Sequence, residues 1–414
     1  MNRFMAPVLV AACLMGIVRG QIEDEEIGCV GCHLEQDPPY STPAETVPLD
    51  VHGQAGFTCV DCHGGDPSSW DFDEAKDPAK GFIGIPTGRR VIELCGQCHS
   101  NPEFMQRYNP NLPTDQVAKY WTSGHGRSLL AGNSDVAQCA SCHNPHDIKR
   151  AADPGSTVYH ANVAETCSHC HADEQLISRY GLSSDIVQQY LGSVHGVALH
   201  DRGDMAAPTC NDCHGSHGAA PPQVGSVQEV CGTCHVNNQL LFSQSKMRTI
   251  FITEGYHGCA TCHTAHDIQK TSEEMVGLQE GAVCAQCHED SADDPGGLHA
   301  RYIRSALEAL KDTLRLAEEG IAAAENRGLV VTDLLLDMQT ARTALIQSRT
   351  MVHTFDAARV AEEGRPGIML ASKIIREVKL LMRELRNRKI WLGFATMFMV
   401  FTATVLHFYV KTLD

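Results

Sequence analysis

Eighteen of the chain's 19 cysteines fall into nine Cys-x-x-Cys-His motifs between Cys29 and His288. Along the chain, Cys29 is matched with Cys32, Cys59 with Cys62, Cys95 with Cys98, Cys139 with Cys142 and Cys167 with Cys170. Then Cys210 is matched with Cys213, Cys231 with Cys234, Cys259 with Cys262 and Cys284 with Cys287. The histidines that follow them are His33, His63, His99, His143, His171, His214, His235, His263 and His288. Two thiols at this spacing add to the two vinyl groups of a haem, and the adjacent histidine becomes the proximal iron ligand. Redox dithiols, zinc knuckles and disulfide pairs also use Cys-x-x-Cys, but none of them requires that histidine. Nine covalently attached c-type haems are expected.

Bis-histidine ligation needs a second histidine for each iron, and 13 of the chain's 22 remain after the motifs are counted. Their placement shows a repeat: one motif stands alone, and four blocks of two follow it. His52-Gly53, His125-Gly126, His195-Gly196 and His257-Gly258 open the blocks, while His146, His217 and His266 each lie three residues after a motif histidine. A histidine so close cannot reach the far face of the same iron, so it should serve a neighbouring haem. His160 and His299 complete a set of nine candidate distal ligands. His353, beside an apolar helical seam, is a further candidate. No methionine recurs at a fixed offset, so methionine ligation is not expected. Arg107, Arg179 and Arg301, each followed by tyrosine, are suited to pairing with haem propionates.

These ligands must be held by very little polypeptide, about 29 residues per motif across residues 29–288. The expected architecture is a multihaem cytochrome c of mostly short α-helices and loops around stacked haems. An antiparallel C-terminal helical bundle and one transmembrane helix should follow. Residues 1–20 read as a signal peptide, 21–298 as the nonahaem domain (one haem plus four haem-pair repeats), and 299–389 as a helical bundle or stalk. Residues 390–410 read as the membrane span and 411–414 as a cytoplasmic tail. Val10-Ala11-Ala12-Cys13 as a lipobox is the alternative reading of the leader.

In the stalk, Leu307, Leu310, Leu314, Ala317, Ile321 and Ala324 form one helical seam. Leu334, Met338, Ala341, Leu345, Ser348, Val352 and Phe355 form a second, with Thr332 as its cap. Ala371, Ile374, Val378, Leu381 and Leu385 form a third, after a break at Pro366-Gly367. Ile390–Val410 then runs without an acidic or basic side chain apart from His407, long enough to cross a bilayer core. Arg383, Arg386, Arg388 and Lys389 flank it on the exported side, against the positive-inside bias that long translocated domains override. The same seams could instead make a homo-oligomer.

A net charge of −17 argues against nucleic acid and for redox partners with a basic docking face. The Cys-x-x-Cys-His, His-Gly and Cys-His-x-x-His elements over residues 29–302 resemble those of the periplasmic multihaem cytochromes c of anaerobic respiratory bacteria. That group includes tetrahaem quinol-linked cytochromes, cytochrome c nitrite reductase and hydroxylamine oxidoreductase. The resemblance implies stacked, mostly bis-histidine haems at low potential that form an electron wire. All nine motifs end in histidine, whereas the catalytic haem of nitrite reductase has a lysine there, which argues against that activity. Members with an N-terminal anchor differ from this chain, so no specific partner is carried over.

The function expected is electron carriage at the periplasmic face of the inner membrane, between a quinone-linked membrane subunit and a periplasmic redox protein. The alternative is an oxidoreductase acting on a small inorganic nitrogen or sulfur compound at a five-coordinate haem. The first haem (Cys29–His33) is the leading candidate for that role, and the haem of His63 the next.

Overall fold

A computed structural model describes residues 27–221 and 224–412, so the leader and Cys13 lie outside the described residues. Among the described residues there are helices and loops but no strand. Two units can be distinguished. One comprises the described residues through Leu182 together with Thr209–Ala219, the other Ser183–Pro208 and the described residues from Ala220 onward.

Both units carry one-turn helical elements. In the first motif of each block, the Cys-x-x-Cys-His segment is itself a single helical turn: Cys59–His63, Cys139–His143, Cys210–His214 and Cys259–His263. The N–H groups of Thr58, Gln138 and Thr209 close the first three by donating to the side chains of Asp61, Ser141 and Asp212 at 2.7, 3.0 and 2.7 Å. Such a turn is too short to be stable on its own.

A second local device recurs four times. Asp50, Ser123, Ser193 and Ser245 stand in extended backbone with ψ of 170, 165, 165 and 158°, and each caps the helix that follows. Those helices are α1 (Val51–Gln54), α2 (Gly124–Leu130), α3 (Val194–Gly196) and α4 (Lys246–Glu254). The cap oxygens accept backbone N–H groups from Gly53 at 2.8 Å, Gly126 at 2.9 Å, Gly196 at 3.1 Å and Arg248 at 3.3 Å. The second residue of each helix is His52, His125, His195 and Met247 in turn.

The glycine of the His-Gly pair has a steric cause. A Cβ at Gly53, Gly126 or Gly196 would collide with the backbone carbonyl of Val47, Tyr120 or Tyr190. The chain before the cap thus presses on the turn that carries the histidine. His257-Gly258 is a different structure. Gly258 precedes the helix Cys259–His263 with φ +56° and ψ −124°, and His257 is exposed outside any helix.

The second unit ends in three long helices: α5 (Pro295–Glu325), α6 (Thr332–Met351) and α7 (Ala357–Lys411). Leu307, Leu310, Leu314, Ala317, Ile321 and Ala324 of α5 are buried, as are Leu334, Met338, Ala341 and Ser348 of α6 and Ala371, Ile374 and Val378 of α7. Helix α6 starts at Thr332 itself, so Thr332 is its first residue rather than its cap.

The break expected at Pro366-Gly367 lies eleven residues earlier. Phe355 adopts φ +55°, and the Asp356 carboxylate accepts the N–H groups of Ala358 and Arg359 to start α7. Pro366 sits inside that continuous 55-residue helix. A proline there costs about 3 kcal/mol, which the buried contacts of Val360, Ala371 and Ile374 on either side offset.

Gly367 shows how tightly the helices meet. A Cβ there would lie 2.7 Å from Ala344 Cβ and 3.0 Å from Leu310 Cδ1, whereas one at Gly320 would make ordinary contact with Val378 at 3.4 Å. Gly367→Ala should therefore destabilise the bundle by about 1–3 kcal/mol through overpacking. Gly320→Ala should stabilise it by up to about 1 kcal/mol through helix propensity. Thermal melting followed by far-ultraviolet circular dichroism checks both signs.

The apolar half of α7 is exposed, Trp391, Phe398 and Phe401 by 72, 69 and 66%. It is the one helix among the described residues long and apolar enough to cross a membrane.

Candidate functional site

The histidines come together in pairs. In the first unit His52 faces His99, His63 faces His146, His125 faces His171 and His143 faces His217, with ring centres 6.0, 6.1, 6.1 and 6.1 Å apart. In the second, His195 faces His235 at 6.2 Å and His263 faces His353 at 6.1 Å. Consider two imidazoles on opposite sides of one metal ion. A metal–nitrogen bond of about 2.0 Å and a further ~1.1 Å to each ring centre separate the centres by about 6 Å. All six spacings match that value, so the residues present fit an iron held between them.

Burial pushes the pKa values of His99, His125, His143, His146, His195, His217, His263, His266 and His353 below the ordinary imidazole range. These rings are neutral at physiological pH, the form that donates a lone pair to a metal. Several are also held in orientation. Nδ1 of His33, His63 and His353 lies 2.9 Å from the carbonyl oxygens of Tyr40, Gly84 and Thr350. Nδ1–H donates to that carbonyl and leaves Nε2 for the iron. His288 differs, its Nδ1 lying 3.1 Å from both carboxylate oxygens of Asp294.

The pairs obey a register. A histidine at the second position of α1, α2 or α3 faces the second motif histidine of its own block. His146 and His217 face the first motif histidine of the preceding block. His263 takes its partner from outside the blocks: His353, in the turn between α6 and α7.

The remaining candidate distal residues have different settings. His160 begins a short turn with Nδ1 3.8 Å from the Asp212 carboxylate. His266 is half-buried in the loop after Cys259–His263, His257 is exposed, and His299 is exposed on the first turns of α5. Among the described residues no histidine ring pairs in this way with His33 or His288. Of the arginines, Arg179 pairs with Asp135 at 2.9 Å and Arg301 with Asp290 at 2.7 Å, so both have carboxylate partners within the protein.

The attachment cysteines are neighbours in chain order. In the first unit Cys62 lies near Cys98, Cys95 contacts Cys139, Cys142 lies near Cys170, and Cys167 contacts Cys210. In the second, Cys231 contacts Cys259, and Cys262 lies near Cys284 and Cys287. Consecutive motifs from the second to the sixth, and from the seventh to the ninth, therefore lie side by side.

The remaining attachment positions differ in setting. Cys29 and Cys32 are half-buried on the helix Ile27–Leu34, which also carries His33. Cys213 is half-buried on the turn Cys210–His214. Cys234 departs from that arrangement. It is exposed, it follows the turn Val227–Thr233 instead of lying within a helical turn, and its Sγ accepts the Thr233 hydroxyl at 3.8 Å.

Paired imidazoles and serial cysteine attachment define the class: the chain is a multihaem c-type cytochrome, and its haems are covalently bound. A family model described as cytochrome c3 matches residues 51–172. The multiheme cytochrome MtrA of Shewanella baltica is 24% identical over 208 residues, 47% of this chain and 52% of that protein. The chain thus spans about half of that relative's length. The cytochrome c-type protein NrfB of Escherichia coli is 23% identical over 169 residues, 39% of this chain and 70% of that protein. No solved structure matches.

Proposed function

We propose that the chain is a nonahaem electron wire, anchored through α7 in the inner membrane with its haem-bearing part in the periplasm. It carries electrons between a quinone-linked membrane subunit and a periplasmic redox protein. The observation that carries this reading is the serial adjacency of the attachment cysteines, combined with six histidine pairs at iron-spanning distance. A pair of fixed, neutral imidazoles changes little when the iron changes oxidation state, so reorganisation is small and no substrate position is left open. In this reading the pairs are the axial ligands of their irons, and His353 takes its place among them. The apolar stretch 390–410 supports the anchor. The chain shows no flavin or iron–sulfur motif of its own, which is why a membrane partner enters the reading.

A second reading rests on His33, which stands outside the repeat and has no histidine ring opposite it among the described residues. An iron there with an exchangeable sixth position would allow small-molecule chemistry. Electron paramagnetic resonance of the oxidised, detergent-purified protein, with haem quantified as the pyridine haemochrome, separates the two. Nine haems without a high-spin signal, unmoved by nitrite, hydroxylamine or cyanide, are expected. A high-spin fraction of about one haem that shifts with those ligands would put catalysis first.

A further inference from the structure

We propose that Met247 is the sixth ligand of the haem attached at Cys284 and Cys287, giving that iron histidine–methionine ligation through His288. This rests on the reading that the facing histidine pairs hold irons.

The argument is the fourfold capped turn. Asp50, Ser123 and Ser193 each place a histidine two residues later, and that histidine faces the second motif histidine of its block: His52 with His99, His125 with His171, His195 with His235. Ser245 builds the same turn. Its N–H donates to the Phe242 carbonyl at 3.0 Å, as the N–H groups of Ser123 and Ser193 donate to Tyr120 and Tyr190 at 3.0 Å each. Its hydroxyl donates to the Phe242 carbonyl at 2.7 Å, as that of Ser123 does to Tyr120. It caps Arg248 as Ser123 caps Gly126, and the bond is longer by 0.4 Å (3.3 against 2.9 Å) where arginine replaces glycine. The residue two after Ser245 is Met247, half-buried at the second position of α4. The register assigns this position to the second motif of the fourth block, whose histidine is His288.

Two further observations agree. Among the described residues His288 has no histidine ring opposite it. Its Nδ1 is also committed to Asp294, whose carboxylate is fixed by the N–H groups of Glu289 and Gly296 at 2.9 Å each, so Nε2 is the nitrogen left for iron. The alternative donors are less well placed. His257 does not sit on a capped turn, and His299 is exposed on α5. A thioether is a neutral, soft donor on a flexible stem, and histidine–methionine ligation raises a haem's potential above that of bis-histidine ligation. The ninth haem would then differ electronically from the haems of the facing pairs.

The test compares Met247→His, Met247→Ala and His195→Ala with the native holoprotein, using near-red absorption, paramagnetic resonance and a redox titration. The native protein should show the iron–thioether charge-transfer band of one haem. In Met247→His the band should vanish, one potential should fall, and every haem seen as low-spin in the native protein should stay so. In Met247→Ala one haem should become high-spin and recover with added imidazole. A native spectrum without the band, together with an unchanged Met247→Ala, overturns the assignment. So does the same spin change in His257→Ala or His299→Ala, which would give that iron to a histidine. His195→Ala should convert one haem to high spin. If it does not, the reading of facing histidines as ligand pairs fails, and the Met247 assignment falls with it.

Discussion

His353→Ala should convert one low-spin haem to high spin, leave the haem count unchanged, and be reversed by exogenous imidazole. The size of this effect follows from geometry. The His353 and His263 ring centres are 6.1 Å apart with planes 23° from parallel, comparable to His63–His146 at 6.1 Å and 22°. Nδ1–H of His353 donates to the Thr350 carbonyl at 2.9 Å, which turns Nε2 away from its own helix. Phe355, in left-handed conformation at φ +55°, ends the turn Val352–Thr354, and its ring packs against Phe242, with centres 6.3 Å apart. The turn bearing His353 is therefore fixed from both sides, and removing one ring removes one ligand without freeing another. Paramagnetic resonance of the oxidised variant, with and without imidazole, checks this. A spectrum identical to the native one would show that His353 is a packed residue rather than a ligand. The bundle would then be a passive support instead of a contributor to the redox chain.

Much of this arrangement could be read from the sequence, because covalent haem chemistry imposes a fixed local spacing. Cysteine and histidine positions within a motif need no tertiary knowledge. The helical seams were equally readable, since Leu310, Ala317, Ala341 and Ile374 repeat at the period of a helix. Three features were hidden, each for a tertiary reason. Pro366 resembles a helix end, but burial on both sides carries the helix through it. His257-Gly258 has the letters of its three predecessors without their backbone, because what defines the motif is the capping side chain two residues before the histidine. The fourth such turn was invisible in a search for histidine, since Ser245 presents Met247. His353 was legible as a candidate beside an apolar seam but not its partner, since it lies 90 residues beyond His263 and no local spacing connects residues brought together by a bundle.

Glu273→Gln should destabilise the packing of the bundle on its haem-bearing unit by about 2–4 kcal/mol, the worth of its charge-assisted bonds to two cations. Glu273 is only 2% exposed, yet it meets two cations. Lys311 of α5 donates to Oε2 at 2.9 Å, and Arg349 of α6 donates through Nε to Oε1 at 2.8 Å and through a second guanidinium nitrogen. Arg304 adds weaker bonds to the carbonyls of Glu273 and Val276 at 3.4 and 3.2 Å. One carboxylate from the haem-bearing chain thus ties two helices of the bundle, and Arg349 lies four residues before His353. Lys311 and Arg349 are 52 and 38% exposed, so both can rehydrate when the carboxylate is lost. That keeps the cost below the value for a stranded buried charge.

Burial raises the pKa of Glu273, but the bonds from Lys311 and Arg349 outweigh it and hold the carboxyl below its ordinary value of 4.5. A carboxylate with a depressed folded pKa contributes stability that is present in full above its unfolded value. That stability is lost as pH falls through the folded value, so the window lies below about 4.5. Native protein and Glu273→Gln should therefore differ most near neutral pH and converge under acid. Thermal melting of the helices at a series of pH values reads this directly. A difference that stayed constant into acid would mean that the variant acts through packing rather than through the lost charge. The spin state of the haem at His263 in the same samples would show whether this latch, four residues from the ligand, also holds the ligand in place.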